Sequence, residues 1–515
     1  MKQPSVLKTL IALAASLAAG AAWPQQPFDL DPSFRFNADS WYINSTYPLP
    51  DGDVIISGVI AVPGEWPYER GGVRLNSDGS IDPSFKPYPL MGGKITPWQH
   101  RFYCGNGQGI RRLFLSGDLD SSYLAMNLVP YFSILQGGDY HVFPDGRVLV
   151  AGGHLLSDSL RGFVGLYGLI WFTNQGYLDT THIHRRTNSD IYYLHALPDG
   201  KFLCSGYATL IDGHPLPSST FRVMPDGALD TTFQAPAGYV AAGTIHVLSN
   251  GKLLIGGHPS HLANGDTLCL MRLLPDGSLD PTFHVPQVHN YNPILGDFLM
   301  DGINSITPLG PDKYIITGGF SEIDGEPRGG IALIDTAGHL LDDLFSGSGC
   351  GGYIQPGIVP PTPFQWMHVI QDLTRAYDGS YYISGAFHGY DDGTTNDPDQ
   401  RLISRLHGLN VGIAEPPAGQ PKPLQIAPNP SSGMVQFSVA SSASATLLAN
   451  ATFHIHDPSG RVVLQEAWPA GRYTYALQAG QLAPGAYVVR VQPGAAGAAA
   501  QDLAGGYVGR LVVMP

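Results

Sequence analysis

Hydrophobic positions along this chain come in short runs set between turn signals. "PDGDVIISG" (Pro50–Gly58), "PDGRVLVAGG" (Pro144–Gly153), "PDGKFLCSG" (Pro198–Gly206), "SNGKLLIGG" (Ser249–Gly257), "GPDKYIITGG" (Gly310–Gly319) and "YDGSYYISG" (Tyr377–Gly385) share one plan. A turn feeds a continuous apolar run, the pattern of a strand buried on both faces. "GIRRLFLSG" (Gly109–Gly117) reads as a degenerate seventh copy.

A second phrase alternates with the first. "PDGSLDPTF" ends at Phe283, "PDGALDTTF" at Phe233, "SDGSIDPSF" at Phe85 and a clipped "LDPSF" at Phe34. "NQGYLDTTH" ends at His182 and "AGHLLDDLF" at Phe345. Pro presets φ for the first turn position, and Gly accepts the left-handed conformation that closes the hairpin. Apolar strands precede it, as in "CLMRL" (Cys269–Leu273) and "FRVM" (Phe221–Met224). The carboxylates Asp82, Asp230 and Asp280 stand where an acid caps backbone N–H groups, so they read as structural. Successive ends lie about fifty residues apart, with one double gap between Phe85 and His182 that places an eroded copy near "NLVPYFSIL". Both phrases then count seven units of four antiparallel strands, which predicts a seven-bladed β-propeller over residues 28–411. The array opens on the end of a unit, "FDLDPSF" (Phe28–Phe34), and closes on the start of one, "RLISRLHGL" (Arg401–Leu409). The first strand is therefore expected to complete the last sheet, leaving no long edge open.

After Leu409 the texture changes. "GIAEPPAGQPKP" (Gly412–Pro423) is a Pro-rich linker. "LQIAPNPSSGMVQFSV", "ATFHIHDPSGRVVLQ", "LAPGAYVVRVQ" and "GRLVVMP" predict a small β-sandwich over residues 424–515. The fold class is thus all-β: a propeller followed by a C-terminal sandwich.

Composition agrees with this. The 515 residues include 64 Gly and 43 Pro with only 14% charged residues, which suits turns and short strands and disfavours helices. A net charge of −14 without a basic stripe excludes a nucleic-acid partner. The four cysteines (Cys104, Cys204, Cys269, Cys350) form no CxxC pair, and buried free thiols are expected ahead of a single bridge. Lys2 and Lys8 precede the apolar run "TLIALAASLAAGAA", which predicts a signal peptide over residues 1–22. No other long apolar run exists, so no transmembrane segment is expected in the mature chain.

The two phrases resemble the delta-sixty β-propeller repeat of bacterial secreted proteins. "PNPSSG", "DPSGRVV" and "LAPGAYVVRV" resemble the type A sorting domain of the type IX (Por) secretion system of Bacteroidetes-like bacteria. That resemblance implies passage through the periplasm, recognition of residues 424–515 by the type IX secretion machinery, and a secreted or outer cell-surface protein.

Catalytic motifs are missing: no GxSxG, HExxH or P-loop occurs. The "HIH" pairs His182/His184 and His454/His456 have no third metal ligand in sight. No cofactor is expected, except that "YDDGTTNDPDQ" (Tyr390–Gln400) offers Asp391, Asp392, Asp397 and Asp399 to a calcium ion. In a four-stranded unit the two PDG-type turns share one face. The opposite face collects the long connections Lys86–Gly109, His284–Gly302 and Ser346–His368. Their Trp98, His100, Phe102, Tyr103, His289, Tyr291, Tyr353, Phe364, Trp366 and His368 could stack on sugar rings or grip peptide. The expectation is a non-catalytic binding module for glycan or protein. The rival is a polysaccharide hydrolase or lyase, which a pair of raised carboxyls in a central cleft would favour.

Overall fold

In the computed structural model, the described residues are 26–37, 41–62, 69–89, 91–106, 109–123, 132–216, 218–310, 312–341, 344–345, 347–355, 361–409, 422–429, 431–439, 451–457, 461–469, 472–492 and 507–513. The expected signal peptide, nearly all of the Pro-rich linker and the Ala/Gly-rich stretch 493–506 lie outside them. The chain divides into two compact units, Met1–Asn410 and Val411–Pro515.

In the first unit, seven antiparallel sheets of one plan follow each other among the described residues. The first is Tyr42–Pro48, Val54–Ala61, Glu69–Leu75; the second Ile95–Trp98, Arg101–Asn106, Gly109–Phe114; the third Phe132–Val142, Val148–Asp158, Phe163–Phe172. The fourth is Ile191–Ala196, Phe202–Gly206, Thr220–Val223; the fifth Thr244–Val247, Leu253–Leu262, Thr267–Leu273. The sixth is Ile303–Pro308, Lys313–Gly318, Ile331–Asp335; the seventh Val369–Arg375, Tyr381–Asp391, Asn396–Leu406. A short fourth segment pairs with each third strand: Ile81 with Leu75, Leu119 with Leu113, Leu178 with Phe172, Leu229 with Val223, Leu279 with Leu273, and Leu340–Leu341 with Leu333 and Ile334. The seventh sheet takes its fourth segment from the other end of the chain, where Leu30 bridges Leu406. Phe28 N donates to His407 O and Asp31 N to Arg405 O on either side.

Middle strands are buried on both faces, as the continuous apolar runs require: Val54, Ile55 and Ile56 are fully buried, and so are Ile315 and Ile316. First strands pack on first strands. Tyr42–Pro48 meets Val369–Arg375, Phe132–Val142 meets Ile191–Ala196, and Thr244–Val247 meets Ile303–Pro308, which meets Val369–Arg375 in turn.

Each Asp-Gly turn is built from local chemistry. In Leu274–Ser278, Gly277 adopts φ +94° and donates to Leu274 O, while Asp276 Oδ1 accepts from Ser278 N at 3.0 Å and Ser278 Oγ at 2.7 Å. The "LD" acid then ties the corner. Asp280 Oδ1 accepts from Thr282 N, and Oδ2 accepts from Arg272 Nε at 2.7 Å and Lys252 Nζ at 2.8 Å. The Arg272 guanidinium lies 5.1 Å from the centre of the Phe283 ring. Arg222, Lys201, Asp230 and Phe233 repeat the arrangement, and Arg112, Asp120 and Tyr123 a variant of it. These acids are structural.

The second sheet departs from the expected register. Gly109–Phe114 is a third strand, and Leu119-Asp120 follows it as the fourth segment. "IRRLFLSGDLDSSY" is thus a copy of the second phrase, ending at Tyr123, and not of the first. The eroded copy placed near "NLVPYFSIL" is not needed there, and most of that stretch lies outside the described residues. Lys86–Gly109 is accordingly no long loop: it contains the first two strands of the second sheet.

The second unit packs a five-stranded sheet (order Lys422–Pro423, Tyr507–Val513, Gly485–Gln492, Thr452–His456, Val462–Ala467) on a three-stranded one (Gln425–Ala427, Met434–Ser438, Thr474–Gln478). Alternate residues face inward, including Val435, Phe437, Phe453, Ile455, Val489, Val491 and Leu511. Phe437 and Phe453 meet edge to face with centroids 4.8 Å apart.

Candidate functional site

In each sheet the turn from first to second strand lies at one end, and in the first six the turn into the fourth segment lies there too; the longer connections leave from the other end. At that loop end His284–Gly302 folds into its own hairpin, Val288–Asn292 with Asp297–Met300, which adds to Glu322–Ile323 from the sixth sheet's connection. Tyr353–Ile354 pairs with Trp366–Met367 beside it. Asn292 Nδ2 donates to Pro363 O at 3.0 Å, joining the two structures.

Six of the ten candidate residues lie here: His289, Tyr291, Tyr353, Phe364, Trp366 and His368. His368 is buried, with Nδ1 3.0 Å from Asn290 Oδ1 and Nε2 2.9 Å from Cys350 O; burial lowers its pKa, opposed by the Cys350 bond and by Asp301. Asn290 Nδ2 reaches on to Asp301 Oδ2 at 3.0 Å. Trp366 stacks toward His368, 6.2 Å between centroids. Tyr353 stacks on His388 at 3.9 Å, and its hydroxyl donates to Trp41 O. These three side chains hold the loops down. His289 pairs with Glu322 at 3.2 Å and keeps about a third of its side chain open. Tyr291 is exposed and packs at 5.2 Å on the exposed Phe298, and Phe364 is 91% exposed nearby in sequence to Trp366. Tyr291, Phe298 and Phe364 are therefore the side chains free to meet a ligand.

The other four lie elsewhere, and of these Phe102 is fully buried in one core cluster with Cys104 and Leu113. His100 is exposed in the tight turn between Ile95–Trp98 and Arg101–Asn106, at the turn end. Trp98 Nε1 donates to Pro144 O in the neighbouring Asp-Gly turn. Tyr103 is fully buried, donating to Gly146 O at 2.9 Å and accepting from Arg112. They belong to a structural corner because the connection carrying them is a strand pair.

The acidic loop is committed to hydrogen bonds. Asp391 Oδ2 accepts from Ser348 N and Oγ. Asp392 Oδ1 accepts from Thr394 N and Thr395 N, and its Oδ2 from Leu30 N. Asp397 pairs with Arg35, and Asp399 is mostly exposed, 3.9 Å from Arg401. The four carboxylates do not converge, and among the described residues no three His, Cys, Asp or Glu side chains cluster as metal ligands. His182 stacks on Trp171 and pairs with Asp179, while His184 Nδ1 accepts from Trp171 N. All four cysteines are free and buried.

Two hollows at the loop end were missed by sequence reasoning. One, of about 220 Å³, lies where the first strands of the fourth to seventh sheets begin. Tyr193, His258, Asp301, Asn304 and Gln371 supply its polar groups. The other, of about 260 Å³, lies beside Tyr207 and Tyr239, where the fourth sheet meets the fifth. The second hollow's signal in the sequence was Tyr207, an aromatic directly following the strand-ending Gly206, and the Gly238-Tyr239 pair. Asp301 is the one carboxylate among the residues lining them. Asp372, on the first strand of the seventh sheet, is raised by burial against a bond from Thr374, and it stands without an acidic partner in the hydrogen bonds it makes.

Strand architecture and repeat chemistry define an all-β protein of the propeller class. Residues 49–85 and 248–283 match the family model described as a domain of unknown function (DUF5122) beta-propeller. Residues 425–501 match the secretion system C-terminal sorting domain. The protein is thus exported by type IX secretion, to the cell surface or beyond it. No curated protein matches the chain. A solved structure similar to it is that of a protein of unknown function from Bacteroides caccae, at 14% identity over 56% of this chain and 92% of that chain, with a TM-score of 0.29. No helix among the described residues is long and apolar enough to cross a membrane.

Proposed function

We propose that residues 28–411 form a closed seven-bladed propeller carried to the cell exterior by the sorting domain of residues 424–515, after removal of a signal peptide over residues 1–22. Its role is non-catalytic binding of glycan or protein at the loop end. Ring closure is supported by the Leu30–Leu406 bridge and by the packing of the first sheet on the seventh. The observation that carries the binding role is the exposed aromatics Tyr291 and Phe298, raised on a hairpin whose base is fixed by the His368–Asn290–Asp301 chain, and Phe364 on the Pro363–Gln365 turn that Asn292 ties to it. A rigid base under open rings lowers the ordering cost of binding.

A glycan array and a surface-protein pull-down with the exported chain test this, against a Tyr291→Ala/Phe298→Ala/Phe364→Ala variant. Saturable binding by the parent and its loss in the variant are expected. Release of new reducing ends or unsaturated sugars from a polysaccharide would instead establish a hydrolase or lyase.

A further inference from the structure

A second aromatic group, which the rim above does not use, stands where the fourth sheet meets the fifth. Tyr207 directly follows the second strand and is 56% exposed. Its ring stacks on Tyr239, 5.4 Å between centroids at 24°, and meets Tyr192 edge to face at 5.3 Å. The group is fixed from behind. Tyr207 N donates to Asp190 O, the Ser218–Gly238 bridge positions Tyr239, and Gly238–Tyr239 pairs with His261–Leu262. Ser219 Oγ exchanges hydrogen bonds with Val240 at 2.6 and 2.9 Å. Beside the tyrosines lies the hollow of about 260 Å³, closed by Ala208, Thr209, Leu216, Ser218 and Ser219.

We infer that this hollow is a subsite for one ring of a neutral glycan, with the sugar laid against Tyr207 and its hydroxyls met by Thr209, Ser218 or Ser219. This rests on the glycan form of the binding role proposed above. Three features select the ligand. The lining holds no charged side chain, so neither a uronate nor a sulfated sugar finds a counter-ion, and the chain's net charge of −14 opposes a polyanion. An aromatic face offers an apolar platform to the C–H face of a sugar ring, while the surrounding hydroxyls match its polar edge. The volume falls just under the ~300 Å³ at which drug-sized pockets begin, which fits a single ring and not an extended chain. A wholly apolar side chain would leave the hydroxyl edge without partners.

Affinity electrophoresis of the full chain tests the assignment, in gels holding β-glucan, α-glucan, mannan or xylan, with polygalacturonate gels and added choline chloride as charged controls. Retardation in at least one neutral gel is expected. Tyr207→Ala should weaken it roughly tenfold, while Tyr207→Phe retains most of it. Thr209→Arg, at the exposed rim, should block the hollow without touching the core, and unchanged melting temperatures confirm folding. Parent-like retardation of Tyr207→Ala and Thr209→Arg, with loss in the Tyr291/Phe298/Phe364 variant, would remove this subsite and leave the rim standing. No retardation in any neutral gel, or a Tyr207-dependent response to polygalacturonate or choline alone, would overturn the neutral-sugar assignment.

Discussion

Leu30 N donates to Asp392 Oδ2 at 2.6 Å, across 362 residues of chain. Asp392 is buried, and its other oxygen is engaged by Thr394 and Thr395. Arg35 reaches Asp397 from the same end segment. The loop whose acids suggested calcium is therefore the clasp that holds the N-terminal segment on the last sheet.

Asp392→Ala should remove that clasp. It leaves Leu30 N and two turn N–H groups without an acceptor, so a loss of about 2–3 kcal/mol is expected. Thermal unfolding reads it directly. Deleting residues 26–34 should cost more and also produce concentration-dependent association on size exclusion, because Leu406 and its neighbours become an open edge.

Gly277→Ala is expected to cost about 1–3 kcal/mol, since φ is +94° and a Cβ would stand 2.8 Å from the Gln234 backbone. The drop in denaturant midpoint measures it. Gly213→Ala, whose φ is +82° but whose Cβ would meet nothing within 4 Å, isolates the backbone term and should cost less.

Stability should fall in two steps on acidification. Burial lowers His154 and His184 to about 4, below the ordinary value of ~6.5. Both are neutral in the fold, so their contribution is complete above ~6.5 and is lost as pH falls toward 4. Asp230 and Asp280 form the second step. Burial alone would raise them, but bonds from Lys201 and Thr232, and from Lys252 and Thr282, with Arg222 and Arg272, outweigh it and depress both. Their contribution is present above the ordinary carboxylate value of ~3.9 and lost below it. Melting temperatures between pH about 7 and about 2.5 should show both falls, with Asp280→Asn flattening only the lower one.

The four thiols should resist a charged thiol reagent in the native protein and react together on unfolding. Each is buried, and burial pushes Cys269 up to about 12 and raises the others. Rapid native labelling of one or more would contradict this.

Much of the first unit was legible because its chemistry is local. Pro-Asp-Gly, the following "LD" and the aromatic after it make contacts within a dozen residues, as Arg272, Asp280 and Phe283 do. The second sheet was misread because Ser116-Gly117-Asp118 replaces Asp-Gly-Ser, so the strand before it resembled the other phrase. Leu119-Asp120 and the aromatic Tyr123 were the discriminating signal.

By itself the sequence determined the recurring strand-turn units, the pairing of the first segment with the last, and the presence of a sorting sandwich. Repeated turns and apolar runs encode these within short windows, and an incomplete unit at each end leaves one partner for each. Only the tertiary structure decided which aromatics are open. Tyr353 and Trp366 are spent on packing, Tyr103 and Trp98 brace the turn end, and Tyr207 meets Tyr239 because the Ser218–Gly238 bridge draws two loops together. Exposure depends on what distant loops cover, and no single stretch of chain carries that information.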